Sequence, residues 1–208
     1  MMPGVELVLV WIGWVVAGGS PGPATLGIAG TSMQGGRRNG VYFALGILAG
    51  SASWGIAAAL GMSTLMLAHA WLFAAVKYAG AAYLLFLAVK SLRSAMTTKP
   101  MFEGRAQTGT PVAIFTKGAL IHLTNPKAIL SWGAIYALVL PPDAGMAQVF
   151  GLFAYLFAGS ILVFIGYAFL FSTGGVVRLY AAARRWFEGA FALLFGAASL
   201  KILTVRAE

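Results

Sequence analysis

The stretch Gly19-Ser20-Pro21-Gly22-Pro23-Ala24 interrupts a long apolar segment near its middle. A second stretch, His122-Leu123-Thr124-Asn125-Pro126-Lys127, interrupts another apolar segment in the other half of the chain. Proline cannot donate a hydrogen bond to the carbonyl four residues earlier, so both stretches are expected to break a helix. The carbonyls that these prolines are expected to free belong to Ala17, Gly19 and His122. In lipid, such backbone is tolerated only where it is buried in protein or lines a cavity.

The composition is that of an integral membrane protein. Of the 208 residues, 60% are hydrophobic and 9% are charged, whereas about a quarter of a soluble chain is charged. Cysteine is absent, which excludes disulfides and thiolate metal sites. The net charge of +9 indicates basic cytoplasmic loops rather than binding to nucleic acid. Nucleotide-binding loops, nucleophile elbows and zinc motifs are missing, so we predict no cofactor, no metal and no enzyme activity.

Six apolar segments are long enough to span a bilayer, which takes about twenty residues per helix. They cover about 7–33, 41–62, 67–89, 112–140, 149–171 and 186–203. The short alternating segments typical of a barrel are missing. We therefore predict an all-α membrane protein with one transmembrane domain over 1–208, in which helices 1 and 4 are broken.

Basic residues occur in every second loop between these segments. They are Arg37, Arg38, Lys90, Arg93, Lys99, Arg105, Lys117, Arg178, Arg184 and Arg185. Lys and Arg accumulate on the cytoplasmic side, so we expect these loops, including the long one at about 94–111, to be cytoplasmic. Both termini are then outside. The alternative is the same six spans in the opposite orientation.

The two halves of the chain repeat. The matched pairs are Pro23 with Pro126, Leu48-Ala49-Gly50-Ser51 with Phe157-Ala158-Gly159-Ser160, and Gly80–Phe86 with Gly189–Phe195. Three spans per half is an odd number, so the second half enters the membrane from the opposite side. We therefore predict inverted-topology repeats over about 1–95 and 110–208, whose two broken helices face each other near the midplane, the usual place of a transporter's binding site.

The first break offers groups that could bind a zwitterion. Ser20 and Thr25 supply hydroxyls, and Gly22 allows close approach of the backbone. The half-helix that begins at Pro23 presents an N-terminus, which favours an anionic group such as a carboxylate. The freed carbonyls suit an ammonium group. The alternative is a structural kink whose backbone groups are satisfied by neighbouring helices.

The second break carries a lysine deep in the predicted membrane. Lys127 lies ten residues, or about 15 Å of helix, from Lys117 at the basic flank. A charge at the bilayer centre costs at least about 2.5 kcal/mol, so it should face a cavity or a partner. We interpret Lys127 as a carboxylate anchor or a gating contact, with hydrogen bonds from Thr124 and Asn125. A neutral or snorkelling lysine is the alternative.

Lys77 and His122 are weaker candidates. Lys77 could serve the same site from the third span, or it could snorkel towards the outer interface. His122 lies one turn before the second break and could carry protons, although it could equally be a packing residue bonded to a neighbour. Asp and Glu are expected only in loops or at the ends of spans, Glu188 among them, so a buried carboxylate relay is not predicted.

Five motifs occur in a recognisable order. They are Ser20-Pro21-Gly22-Pro23, Gly36-Arg37-Arg38-Asn39-Gly40, Ala44-Leu45-Gly46-Ile47, Lys77-Tyr78-Ala79-Gly80-Ala81-Ala82-Tyr83-Leu84 and Asn125-Pro126-Lys127-Ala128. Over nearly the whole chain this pattern resembles the LysE/RhtB family of bacterial amino-acid exporters. The resemblance implies a six-helix transporter of the inner membrane that exports amino acids or their derivatives, driven by protons or another ion. The site residues it points to are Pro21, Gly22, Pro23, Lys77, Asn125, Pro126 and Lys127.

The chain departs from that family at one position. Many relatives carry an acidic residue just after the glycine of span two, where this chain reads Gly50-Ser51-Ala52. With Lys77 and Lys127 deep in the protein and no buried acid, a neutral or acidic substrate is expected rather than lysine or arginine.

The leading hypothesis is alternating-access export of a small amino acid, with a proton as the coupling ion and the lipid bilayer as the surroundings. The glycine pairs Gly46/Gly50 and Gly18/Gly22 allow close helix packing, either within one chain or in a homodimer. The alternatives are a channel or pore, an exporter of another small solute, and a membrane scaffold that transports nothing.

Overall fold

The computed structural model describes residues 4–68, 70–97, 109–141 and 144–204; the side chains of 62–77 and of some further positions lie outside this description. Within these residues every regular element is an α-helix, which confirms the all-α prediction. The helices are α1 (Gly4–Gly19), α2 (Pro23–Ala68), α3 (Ala70–Ala95), α4 (Pro111–Leu123), α5 (Pro126–Val139), α6 (Met146–Leu170) and α7 (Gly174–Thr204).

Both predicted helix breaks are present. The first separates α1 from α2 at residues 20–22, and the second separates α4 from α5 at residues 124–125. Pro23 and Pro126 each occupy the first position of the following helix, where the missing N–H costs nothing and the fixed φ suits a helix. The prolines therefore end one half-helix and begin the next.

The chain reverses at Gly36 rather than in a loop. Gly36 has φ 78° and ψ 169°, a conformation that side chains rarely tolerate, and it divides α2 into arms at 23–35 and 37–68. The arms fold back on each other, because a Cβ at Gly27 would meet the Phe43 ring and a Cβ at Gly40 would meet Ser32. The loop expected around Arg37 and Arg38 is thus a single-residue hairpin.

The last helix begins much earlier than the sequence indicated. The sixth apolar segment was expected from Trp186, but α7 starts at Gly174, and only residues 171–173 separate it from α6. Arginine has a high helix propensity, so the basic stretch that was predicted as a loop continues the helix instead. Arg185 is exposed within α7.

The second arm of α2 packs against α4 backbone to backbone. A Cβ at Gly46 would overlap the carbonyl oxygen of Phe115, and a Cβ at Gly118 would overlap that of Phe43. Trp54 adds a hydrogen bond from Nε1 to the carbonyl of Leu123 at 3.1 Å. The contacts advance along both helices in the same direction, so the two run parallel. The Gly46/Gly50 pair is therefore used for packing within the chain.

Helix α1 runs parallel to α6. Trp11 Nε1 donates to the carbonyl of Tyr155 at 3.1 Å, and the Tyr167 hydroxyl donates to the carbonyl of Gly19 at 2.5 Å. Helices α3 and α7 instead run antiparallel, because Ser199 Oγ donates to the carbonyl of Ala81 near one end of the pair. At the other end of that pair, Ser94 of α3 bonds to α7.

Two helices in the described part of the chain are long and apolar enough to cross a membrane by themselves: Pro23–Gly61 and Met146–Leu170. The half-helices on either side of the breaks, Glu6–Gly19, Pro111–Leu123 and Pro126–Val139, are apolar but shorter. At each break an apolar half-helix is followed by another helix. The two together supply the length of a membrane span, which one half-helix lacks.

Replacing Gly46 by Ala is expected to destabilise the protein by about 1–3 kcal/mol, because the methyl group would force α2 away from α4. Gly151→Ala on α6 is the matched control, since nothing lies within 4 Å of a Cβ there. Thermal unfolding in detergent measures both. Equal stability of the two variants would contradict the backbone-to-backbone packing.

Candidate functional site

The two helix breaks meet around a small polar cavity. Its volume is about 50 Å³, enough for a few water molecules. Five helices contribute to its walls: α1, α2, α4, α5 and α6. The lining residues are Trp14, Ala17, Gly18, Ser20, Gly22, Ala24, Thr25, Ser51, His122, Asn125, Lys127, Ala128, Ser131, Trp132, Ser160 and Phe164.

Lys127 connects one break to the other. Its Nζ donates to the carbonyl of Ser20 at 3.2 Å and also to the Ser20 hydroxyl by a very short hydrogen bond. Lys127 is the second residue of α5, and the N-terminus of a helix repels a cation. The ammonium is therefore held in an unfavourable position by the acceptors of Ser20.

The carbonyls freed by the prolines accept hydrogen bonds from protein groups in this conformation. Ala17 accepts from the amide of Ser20 at 3.2 Å and from its hydroxyl at 2.8 Å. Gly19 accepts from Tyr167, and His122 accepts from the amide of Asn125 at 3.1 Å. The amine that occupies the acceptors of the first break in this conformation is Lys127 Nζ.

The two helix N-termini at the cavity differ in their capping. Asn125 caps α5, because its side-chain oxygen accepts from the Lys127 amide at 3.1 Å. At the other break the Thr25 hydroxyl accepts from the amide of Gly22 at 3.0 Å and donates to Ser20. The first-turn amide of Ala24 has no partner within its own helix. The start of α2, where Ala24 and Thr25 are both buried, lies in the wall of the cavity.

Two serines that the repeat analysis paired, Ser51 and Ser160, face the cavity from α2 and α6. Each accepts a hydrogen bond from an indole: Trp132 donates to Ser51 at 3.2 Å, and Trp14 donates to Ser160 at 3.0 Å. The two indole rings are 4.5 Å apart between centroids. These four residues were not predicted as site residues. The repeated Ala-Gly-Ser motif was the signal that could have found the serines.

His122 is buried and lines the cavity. Its ring meets the ring of Phe164 edge-on at 5.6 Å, and its Nδ1 has no hydrogen-bond partner in the described part of the protein. The expectation of a hydrogen-bonded packing histidine therefore does not account for Nδ1. Among the described residues, the Thr31 hydroxyl oxygen is the other buried side-chain atom without a hydrogen-bond partner.

Five of the predicted substrate-binding residues line the cavity: Ser20, Gly22, Thr25, Asn125 and Lys127. The predicted proton carrier His122 lines it as well. The prolines, Pro21, Pro23 and Pro126, shape the breaks but are not among its lining residues. Thr124 is exposed and returns its hydroxyl to the carbonyl of Leu120 at 2.8 Å. Lys77 lies in α3, and its side chain is outside the described residues.

Glu188 is buried, whereas no buried acid was expected; its partner Ser94 is next to the last residue of α3, so the carboxylate still lies near the end of that helix. It is 3% exposed near the middle of α7, and Ser94 Oγ of α3 donates to its Oε1 at 2.8 Å. The described residues contain no group of three or more His, Asp or Glu side chains that could hold a metal ion.

Tyr167→Phe is expected to destabilise the protein by about 1–3 kcal/mol, because it leaves the partly buried Gly19 carbonyl without its donor. Tyr155→Phe is the matched control, since the exposed hydroxyl of Tyr155 reaches the Leu7 carbonyl only at 3.4 Å. Chemical denaturation in detergent compares the two. A smaller loss in Tyr167→Phe than in the control would show that this hydrogen bond does not secure the first break.

The chain is similar in sequence to known efflux proteins. Threonine efflux proteins of Salmonella typhimurium and Escherichia coli are 29% and 27% identical to the chain, each covering 92% of it and 94% of the relative. A leucine efflux protein of Salmonella typhimurium is 34% identical over 79% of the chain and 77% of the relative. No solved structure matches.

The family model described as LysE type translocator matches residues 15–205, and this range contains both breaks and every helix after α1. The resemblance seen in the sequence motifs is thereby confirmed. The chain belongs to the LysE type translocator family, a family of membrane proteins.

Proposed function

We propose that the protein is a secondary active exporter of a small neutral amino acid across the bacterial inner membrane. The observation that carries this proposal is the polar cavity at which two broken helices meet, closed by Lys127 on Ser20. Its relatives are named threonine and leucine efflux proteins, which are exporters of neutral amino acids. A ligand site between discontinuous helices is the usual arrangement in secondary transporters.

The inverted repeat is part of the proposal, and the helix directions support it. If α1 forms one span with the first arm of α2, and α4 forms one with α5, the chain has six spans in two sets of three. The pairing of α1 with α6 then corresponds to the pairing of α4 with the second arm of α2. Both pairs run parallel. Ser160 of α6 and Ser51 of α2 each accept an indole hydrogen bond, the first from Trp14 of α1 and the second from Trp132 of α5. The antiparallel pair α3 and α7 then lies on the pseudo-two-fold axis.

The orientation follows from the charges at the helix ends. Lys90 and Arg93 lie near the end of α3, and Arg37 and Arg38 lie beside the Gly36 hairpin. These basic ends should be cytoplasmic, which puts both termini outside. The segment Pro111–Leu123, which carries Lys117, then enters from the cytoplasm and reaches the cavity at His122.

The substrate carboxylate is proposed to bind at the start of α2, with Lys127 beside it. A Cβ at Gly22 would come within 3.9 Å of Lys127 Nζ, so the ammonium and the open N-terminus face the same space. Asn125 and the Ser20 and Thr25 hydroxyls complete the set. In this proposal Pro21, Pro23 and Pro126 keep the breaks open, Thr124 ends α4, and Lys77 approaches from α3.

Binding must widen the cavity. A space of about 50 Å³ is far below the roughly 300 Å³ at which small-molecule pockets begin. Releasing Lys127 from Ser20 would separate the two breaks and also free the Ser20 acceptors for the amino group of the substrate. Rocking of one repeat against the other is then the transport step.

A proton is the proposed coupling ion, with His122 as its carrier. Support comes from the position of the imidazole, which is buried, lines the cavity and has an unpartnered Nδ1. An imidazole can take up and release a proton near neutral pH.

The test is counterflow of radiolabelled threonine or leucine in proteoliposomes. Lys127→Ala is expected to reduce counterflow by about tenfold to a hundredfold, the equivalent of one charge-assisted bond to the carboxylate. Lys117→Ala, at an exposed lysine of the neighbouring α4, is the control and should transport normally. Unchanged counterflow in Lys127→Ala would remove this lysine from the site. Flux that never saturates would indicate a channel, and folded protein without any flux would indicate a scaffold.

Competition between amino acids tests the substrate class. Neutral amino acids should inhibit counterflow at lower concentrations than lysine or arginine, because Lys127 repels a cationic side chain near the cavity. An acidic amino acid should not be excluded in this way. A clear preference for lysine would overturn the proposed charge selectivity.

A further inference from the structure

A groove of about 430 Å³ adjoins the central cavity. It lies between one face of α1 and one face of α5, with α3 and α7 behind it. On α1 the face comprises Glu6, Val10, Gly13 and Ala17, which recur at helical spacing. These residues span about 16 Å of helix, from the level of the cavity to the exposed Glu6.

The groove and the cavity share a wall at Trp14. Trp14, Ala17 and Ser131 line both spaces. The Trp14 indole is held there by its hydrogen bond to Ser160 and by contact with the ring of Trp132. The side chains of Ala17 and Ser131 are small. Of the three shared residues, only Trp14 therefore has a side chain large enough to open the wall by rotating.

The groove exists because α1 and α5 pack on other partners. Helix α1 packs against α6, and α5 packs against α2 and α3, so the two do not close on each other. The opening is wide enough for a small molecule, unlike the central cavity in the same conformation. Polar groups stand at its two ends, Ser131 at the cavity and Glu6 at the mouth.

We propose that this groove is the exit passage of the exporter, and that Trp14 separates it from the binding site. The inference rests on the proposed function. The occupant is the amino acid in transit together with water, because the groove adjoins the cavity of the proposed binding site and leads to the exposed carboxylate of Glu6, while its largely apolar walls offer few groups that would retain a neutral amino acid. A lipid acyl chain is the competing occupant, and water access to the groove distinguishes the two.

The chain contains no cysteine, so single cysteines can be labelled without background. Gly13→Cys puts a thiol in the groove, where nothing lies within 4 Å of a Cβ. Ile12→Cys is the matched control, because the neighbouring Ile12 side chain is exposed on α1 but is not among the residues lining the groove. A charged, membrane-impermeant thiosulfonate is added to right-side-out vesicles, in which the Glu6 end is accessible.

Gly13→Cys is expected to react at least about tenfold faster than Ile12→Cys, because a thiol in lipid does not ionise and only the thiolate reacts. Threonine or leucine at saturating concentration should slow the reaction of Gly13→Cys alone. Ile135→Cys on the opposite wall provides the same measurement if Gly13→Cys does not fold.

Equally slow labelling of the groove and control cysteines would mean that lipid fills the groove, and would overturn the passage. Fast labelling that no amino acid slows, in a variant whose counterflow is intact, would also overturn it. If the unsubstituted protein shows no counterflow while Gly13→Cys still reacts fast, the proposed substrate fails and a water-filled passage stands.

Discussion

The position of the Lys127 ammonium constrains the rest of the site. It is a cation at the beginning of a helix, and the acceptors within its reach are the carbonyl and hydroxyl of Ser20 in the other break. Neither break can therefore move independently while this contact lasts. The small cavity, the capped start of α5 and the open start of α2 all surround this one interaction.

Much of the fold could be predicted because proline and apolar length leave a direct physical trace. Pro23 and Pro126 start new helices where a missing N–H predicts it, and apart from the two breaks the described residues of the apolar segments are almost entirely helical. The turns were harder to predict. Gly36 reverses the chain within one residue, and the arginine-rich stretch before Trp186 joins α7, because helix propensity and charge give opposite indications there.

The site was predicted less completely, since a single sequence does not fix which face of a helix turns inward. Lys127 and Ser20 could be recognised from the breaks, but their bond to each other could not. Trp14 and Trp132 were not predicted as site residues, and Ser51 was considered only as part of a repeated motif and as the position where many relatives carry an acid. Glu188 sits among arginines in the sequence, and only the contact of α7 with Ser94 shows that it is buried.

The bond between Ser94 and Glu188 has a consequence for biogenesis. Glu188 lies at the level of Ser94, next to the last residue of α3, and a carboxylate buried there without a partner would be costly. Helix α3 precedes α7 in the chain and offers the hydroxyl for Glu188 and, near its own middle, the carbonyl of Ala81 for Ser199. Burial of the Glu188 side of α7 is therefore expected to depend on α3 being in place first.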